Sequence, residues 1–238
     1  MLSPYFSKIR IRKTTLLVFF SRKETLMKND PQPWIDLILR YDLVGFFEQP
    51  VFLSSHRTSS YYINWRKAAE DPYILEETVN LLLSYIRNLN LNPDIFYGVP
   101  EGASKLALAT QMKWAKQSPG YGPGSHILSM GRGKAKNHGA QKDRAFLGTP
   151  SGSVVVLEDV TTTGGSLLRA VESLSDCEII AAITLTDRGD PEDQDYVAKT
   201  LSAKGIPFFP MCYGKDVLPQ AIQKLNPSST ILKRLENE

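Results

Sequence analysis

Apolar positions follow two periods along the chain, and the switching between them outlines a fold. In PWIDLILRYDLVGFF (Pro33–Phe47) they recur at helical spacing after Asp30 and Pro31, which predicts a helix with Pro33 near its first turn. VFLSSHRTSSYYINWR (Val51–Arg66) is rich in serine, aromatic and β-branched residues and predicts a hairpin-like pair of strands. DPYILEETVNLLLSYIRNL (Asp71–Leu89) predicts a helix with Asp71 as N-cap and Pro72 at the first helical position; Ile74, Leu75, Val79, Leu82, Leu83 and Ile86 form its apolar face.

From Asp94 onward short continuous apolar runs alternate with helical patterns. DIFYGV (Asp94–Val99) predicts a buried strand, Gly102–Lys116 a helix, His126–Met130 a short strand, and SVVVLED (Ser153–Asp159) the next strand. Gly165–Leu174 predicts a helix, Glu178–Asp187 a strand, Asp193–Lys204 a helix, and Pro207–Tyr213 a last strand. Residues 131–152 show no apolar periodicity and hold five glycines and several bases, the mark of a long functional loop. This order predicts an α/β domain with a mainly parallel sheet flanked by helices, whose strand-to-helix loops gather at one edge, where ligands bind.

Composition adds two restrictions. The 238 residues suit a single domain, and 42% hydrophobic with 22% charged residues is an ordinary globular balance. The net charge of +3 is unevenly placed: residues 1–30 carry seven bases and two acids, so the rest of the chain is slightly acidic and no nucleic-acid partner is expected. Cys177 and Cys212 lack metal-ligand spacing and read as thiols in a reducing, cytoplasmic compartment. TTLLVFF (Thr14–Phe20) follows a basic stretch but is far shorter than the ~20 residues of a membrane span, so no membrane partner is expected. Residues 1–30 read as a disordered extension, as upstream residues of a chain starting at Met27, or as a targeting segment. Residues 31–238 read as one domain, with an N-terminal portion of about 31–68 and a core of about 69–215.

The chemistry concentrates in VVVLEDVTTTGGSLLRAV (Val154–Val171). Its strand ends in Glu158 and Asp159, a hydroxyl- and glycine-rich turn follows, and a helix starts near Gly165 or Ser166. Unpaired N–H groups and a positive dipole end make such a turn a phosphate cradle. It has neither the lysine of a Walker loop nor a GxGxxG pattern. Carboxylates repel phosphate but bind sugar hydroxyls or a Mg²⁺ carried by the ligand, so an acidic pair beside the cradle suggests a ribose 5-phosphate. GRGKAKNHG (Gly131–Gly139) is a glycine-rich loop able to close over an anion. Arg188 in TLTDRGD (Thr184–Asp190) offers a planar fork for a carboxylate on the same side.

LEDVTTTGGS (Leu157–Ser166) resembles the signature of the type I phosphoribosyltransferases, which use 5-phosphoribosyl 1-diphosphate (PRPP). GRGKAKNHG resembles the catalytic loop of the orotate phosphoribosyltransferases, with Arg132, Lys136, His138 and Gly139 in register. YGVPEGASKLALA (Tyr97–Ala109) resembles the family's diphosphate loop, and FLSSHRTSSYYIN (Phe52–Asn64) its N-terminal hood. The resemblance covers roughly Pro33 to Leu218 and implies the family's fold with a small hood.

It also implies roles. Glu158 and Asp159 would bind the ribose hydroxyls. Thr161, Thr162, Thr163, Gly164, Gly165 and Ser166, with Val160 before them, would hold the 5-phosphate. Arg132, Lys134, Lys136 and His138 would meet the diphosphate, and Val99, Pro100, Glu101 and Gly102 would form the diphosphate loop. Lys136, His138 and Asp159 would be catalytic, while Arg188, Thr162, Tyr62 and Ile63 would hold orotate. Mg²⁺ would arrive on PRPP, with no metal site made by protein side chains alone. The implied product is orotidine 5′-monophosphate, in pyrimidine biosynthesis, made by a homodimer whose basic loop acts in trans. Three positions depart from the pattern: Ser54 and Gly133 stand where lysines are common, and Glu101 is an acid in a diphosphate loop. A phosphoribosyltransferase for another base and a non-enzymatic PRPP-sensing protein therefore stay open.

Overall fold

In the computed structural model of the chain, which describes residues 30–52, 58–133, 145–190 and 192–236, the first helix stops earlier than its apolar spacing suggests. Helix α1 (Gln32–Arg40) buries Trp34, Ile35, Leu37 and Ile38. It ends because Asp42 adopts a left-handed backbone (φ 50°), which a short polar side chain tolerates, and Lys224 Nζ holds the Asp42 carboxylate at 2.8 Å. The apolar residues Val44–Phe47, expected to be helical, open strand β1 (Val44–Phe52) instead. β1 pairs antiparallel with β2 (Thr58–Ile63), with a register shift between Phe46 and Val51. The expected hairpin thus starts seven residues before Val51.

Helix α2 (Trp65–Ala68) is a single turn, and α3 (Pro72–Asn88) follows. Asp71 Oδ1 accepts from the N–H groups of Tyr73 (2.8 Å) and Ile74 (3.2 Å), satisfying donors that the helix cannot pair itself. Next come β3 (Ile95–Gly98), α4 (Ser104–Gln117), β4 (Met130–Gly131) and β5 (Phe146–Leu147). The expected strand over His126–Met130 is realised only at Met130, which pairs with Leu147; the preceding residues have no ladder partner among the described residues and are not strand. β6 (Ser153–Thr161), α5 (Gly165–Ser173), β7 (Glu178–Asp187), α6 (Tyr196–Ala203) and β8 (Phe208–Tyr213) complete the core. α7 (Gly214–Leu225) and α8 (Ser229–Leu235) close the described chain and were not expected.

The main sheet is parallel, in the order β3-β6-β7-β8. Val154, Val155, Val156 and Leu157 are fully buried because both faces of the sheet are covered. Val155 and Leu157 face one core shared with α3 and α4, while Val154 and Val156 face another shared with α5 and α6. Each such side chain contributes about 1.5–3 kcal/mol by leaving water. Residues 31–238 form one compact unit. Just past the β1–β2 hairpin, the hood, Trp65 at the start of α2 ties the chain to the core, where its Nε1 donates to Thr186 Oγ1 at 2.9 Å near the carboxyl end of β7. No helix among the described residues is long and apolar enough to cross a membrane.

Candidate active site

The carboxyl edge of the parallel sheet opens into a cleft of about 780 Å³. β6 delivers Glu158 and Asp159 to its floor. Pairing of β6 with β3 as far as Leu157, opposite Gly98, and with β7 beyond it, where Glu158 stands opposite Thr184, holds their backbone. Both acids are buried. Burial, reinforced by the adjacent Asp159 charge, pushes the Glu158 carboxyl up to about 9. Among the described residues the cation beside the pair is Arg66, whose Nε stands 3.7 Å from Asp159 Oδ2 on a largely exposed side chain, too solvated to compensate the pair. A buried acidic pair of this kind suits hydroxyl donors or a hard cation.

The loop after β6 wraps the next wall. Val160 to Ser166, expected to cradle a phosphate, all line the cleft. Gly164 is the N-cap of α5 and takes φ 73°; a Cβ there would stand 2.4 Å from Val197 Cγ2, so only glycine fits. The turn leaves the first N–H groups of α5 at the cleft. The Thr161 carbonyl accepts from Arg188 N at 2.8 Å, but its Oγ1 is buried with no partner among the described residues.

The hood supplies the opposite wall and aims Arg188. Its Nε donates to Tyr61 Oη at 3.1 Å, its Nη2 donates to Ser59 Oγ at 2.9 Å, and the guanidinium lies 4.0 Å from the centre of the Tyr61 ring. Its Nη1 donates to no protein acceptor among the described residues. Ser59 and Tyr61 were missed in the sequence; their i, i+2 spacing on β2 was the available signal. Tyr62, expected to meet orotate, lines the cleft. Ile63 does not: strand alternation turns its side chain into the core, where it is 1% exposed. Phe47, Val51 and Phe52 of β1 add an apolar rim.

Of the diphosphate loop, Pro100 and Gly102 line the cleft. Val99 does not: its side chain is in the core and its N–H donates to Leu157 O at 2.9 Å, leaving no donor for an anion. Glu101 is exposed, with its carboxylate beside Gly133. Gly102 presses on the acidic pair, since a Cβ there would stand 2.4 Å from Asp159 Oδ2. Arg132 is half-buried and stands outside the cleft lining, with its N–H donating to Ala145 O at 2.9 Å. Lys134, Lys136 and His138 lie outside the described residues, as does Ser54. Arg66 and Arg169 line the cleft and were not anticipated.

Among the described residues no three His, Cys, Asp or Glu side chains meet as a metal site. The oxygen donors of Glu158 and Asp159 fit a Mg²⁺ whose other ligands come from substrate and water.

No family model matches the chain. An orotate phosphoribosyltransferase of Bradyrhizobium diazoefficiens is 34% identical over 173 residues, covering 69% of this chain and 84% of that protein. The Thermococcus gammatolerans enzyme of the same name is 31% identical over 175 residues, covering 70% and 81%. Among solved structures, orotate phosphoribosyltransferase from Aeropyrum pernix superposes with a TM-score of 0.59 at 23% identity, over 81% of this chain and 97% of that one. The Mycobacterium tuberculosis orotate phosphoribosyltransferase in complex with PRPP gives 0.54 at 21% identity, over 79% and 99%. With its parallel sheet, acidic pair, threonine–glycine cradle and hood, the chain belongs to the orotate phosphoribosyltransferase family.

Proposed function

We propose that this chain transfers the phosphoribosyl group of PRPP to orotate, giving orotidine 5′-monophosphate and diphosphate, a step of pyrimidine nucleotide synthesis. The observation that carries the reading is one cleft bordered by a buried acidic pair, a threonine–glycine cradle and a hood-aimed arginine. Sugar, phosphate and a base bearing a carboxylate have complementary chemistry at those three places.

In this reading the 5-phosphate sits on the Thr161–Ser166 turn, and Glu158 and Asp159 hold the ribose hydroxyls. Arg188 presents Nη1 to the orotate carboxylate while Ser59 and Tyr61 keep the guanidinium from rotating. The bond from the ribose anomeric carbon to diphosphate breaks as the bond to the orotate ring nitrogen forms, the proton of that ring N–H passes to the leaving diphosphate or to solvent, and positive charge builds on the ribose between the two partners. Asp159 stabilises that charge, and fixed positions of both partners lower the entropic part of the barrier. Glu158 and Asp159 offer the oxygen donors that would hold a Mg²⁺ arriving with PRPP, which would supply neutralisation of leaving-group charge. Arg132, Lys134 and Lys136 add to that neutralisation, and His138 hydrogen-bonds the diphosphate or moves a proton. The loop serves the partner's site in a homodimer, in the cytoplasm. Lys136→Ala therefore lowers turnover more than it raises the PRPP KM. Orotate consumption with matching diphosphate release tests the reading; PRPP binding without release for any base would instead favour a sensing protein.

A further inference from the structure

α5 carries a cation where its own dipole disfavours one. Arg169 lies one turn beyond Ser166, and its side chain leans back over the first turn, as helical side chains do. It lines the cleft beside the Thr161–Ser166 turn. Nη2 donates to Ser166 Oγ at 3.2 Å, and Nη1 stands 3.3 Å from where a Cβ on Gly165 would be. No carboxylate lies within ion-pair distance of this guanidinium among the described residues. A positive group over the exposed N–H groups of a helix N-terminus is repelled by the macrodipole. At the same turn Thr161 Oγ1 is buried without a partner, in a residue only 2% exposed. A dianion seated on the turn relieves both: it attracts the guanidinium and accepts from the orphaned hydroxyl.

We propose that Arg169 is an additional binding residue for the 5-phosphate, covering the outer side of a cradle whose inner side is made of backbone N–H groups and threonine hydroxyls. This rests on the phosphoribosyl reading above. The chemistry is specific to a phosphate monoester, which at neutral pH is mostly dianionic and can take two N–H bonds from one guanidinium edge. Without Arg169 the described cradle offers dipoles and hydroxyls but no full positive charge within its turn. Because Arg169 is exposed, salt screens its contribution.

The test is binding of ribose 5-phosphate, measured by calorimetry on the full chain as wild type, Arg169→Gln and Arg169→Lys. The expected result is a roughly tenfold weaker affinity in R169Q, with R169K recovering most of the loss. Wild-type affinity also falls more steeply with added salt than that of R169Q. An R169Q affinity within about twofold of wild type overturns the proposal, as does an equal loss in R169K with an unchanged salt slope. Wild type that fails to bind ribose 5-phosphate overturns it too. The base does not enter this measurement. Absence of orotate turnover, with the R169Q difference intact, would therefore refute the orotate assignment and leave Arg169 standing.

Discussion

Replacing Gly102 by alanine should damage catalysis through Asp159. The Cβ that alanine adds would stand 2.4 Å from Asp159 Oδ2 and 2.5 Å from Oδ1. Ordinary contact needs roughly 3.5 Å, so the carboxylate or the loop must move by about 1 Å. Asp159 lies between Glu158 and Val160, which pair with Thr184 and Thr186 of β7, so its backbone yields little and the movement falls mainly on its side chain or on Pro100–Gly102. A shift of that size in a positioning group costs about 10²-fold in kcat/KM, near 2.7 kcal/mol. Steady-state rates with PRPP varied, on Gly102→Ala, Asp159→Ala and the double variant, separate direct from transmitted effects. Each single change should lower kcat/KM strongly and the double should be no worse than the more damaged single, because removing the carboxylate removes the collision. Full activity in Gly102→Ala, or losses that simply add, would refute a role exercised through Asp159.

Three other outcomes follow from the same geometry. Ser59→Ala should raise the orotate KM several-fold, up to about tenfold, with the PRPP KM unchanged, since it frees one edge of a charged hydrogen-bonded group; Tyr61→Phe keeps the stacked ring and should do less, and parallel changes in both KM values would contradict the assignment. Thr161→Val should leave the ligand-free melting temperature unchanged or higher, because it deletes an unpartnered buried hydroxyl, while weakening ribose 5-phosphate binding; a clear loss of ligand-free stability would show that the hydroxyl has a protein partner. Glu158 is protonated in the ligand-free protein up to about pH 9 but ionises near 4.5 when unfolded, so its share of stability is present below pH 4.5 and is lost as pH rises through 9. Melting temperatures of ligand-free wild type should therefore fall relative to Glu158→Gln between pH 5 and 9, and a constant difference would refute the raised carboxyl.

Legibility in the sequence followed the range of the interactions involved. β6, β7 and α3 were plain because their signals are local: unbroken apolar runs for strands covered on both faces, and an Asp-Pro cap before a periodic stretch. The end of α1 was hidden because Val44–Phe47 fits a helical period as well as a strand, and the stop depends on Asp42 entering a left-handed turn held by Lys224 from far along the chain. α7 went unread because Pro219 interrupts its pattern and it buries few residues, chiefly Val217 and Ala221. In the cleft, the placement of Glu158, Asp159 and the Thr161–Ser166 turn was legible because strand, turn and helix start follow one another locally. Ser59 and Tyr61 were not, because their role exists only once the hood folds against Arg188. Ile63 was misjudged because one residue along a strand reverses the face a side chain occupies.

One cleft, on this reading, joins a phosphoribosyl group to a carboxylated pyrimidine. The most direct measurement is a competition in which PRPP and Mg²⁺ are offered with orotate, uracil, adenine and nicotinate together, and the nucleotide formed is identified by mass. Orotidine 5′-monophosphate should be the dominant product, with diphosphate released in equal amount and orotate preference lost in Arg188→Ala. A nucleotide of another base, or none while PRPP still binds, would contradict it.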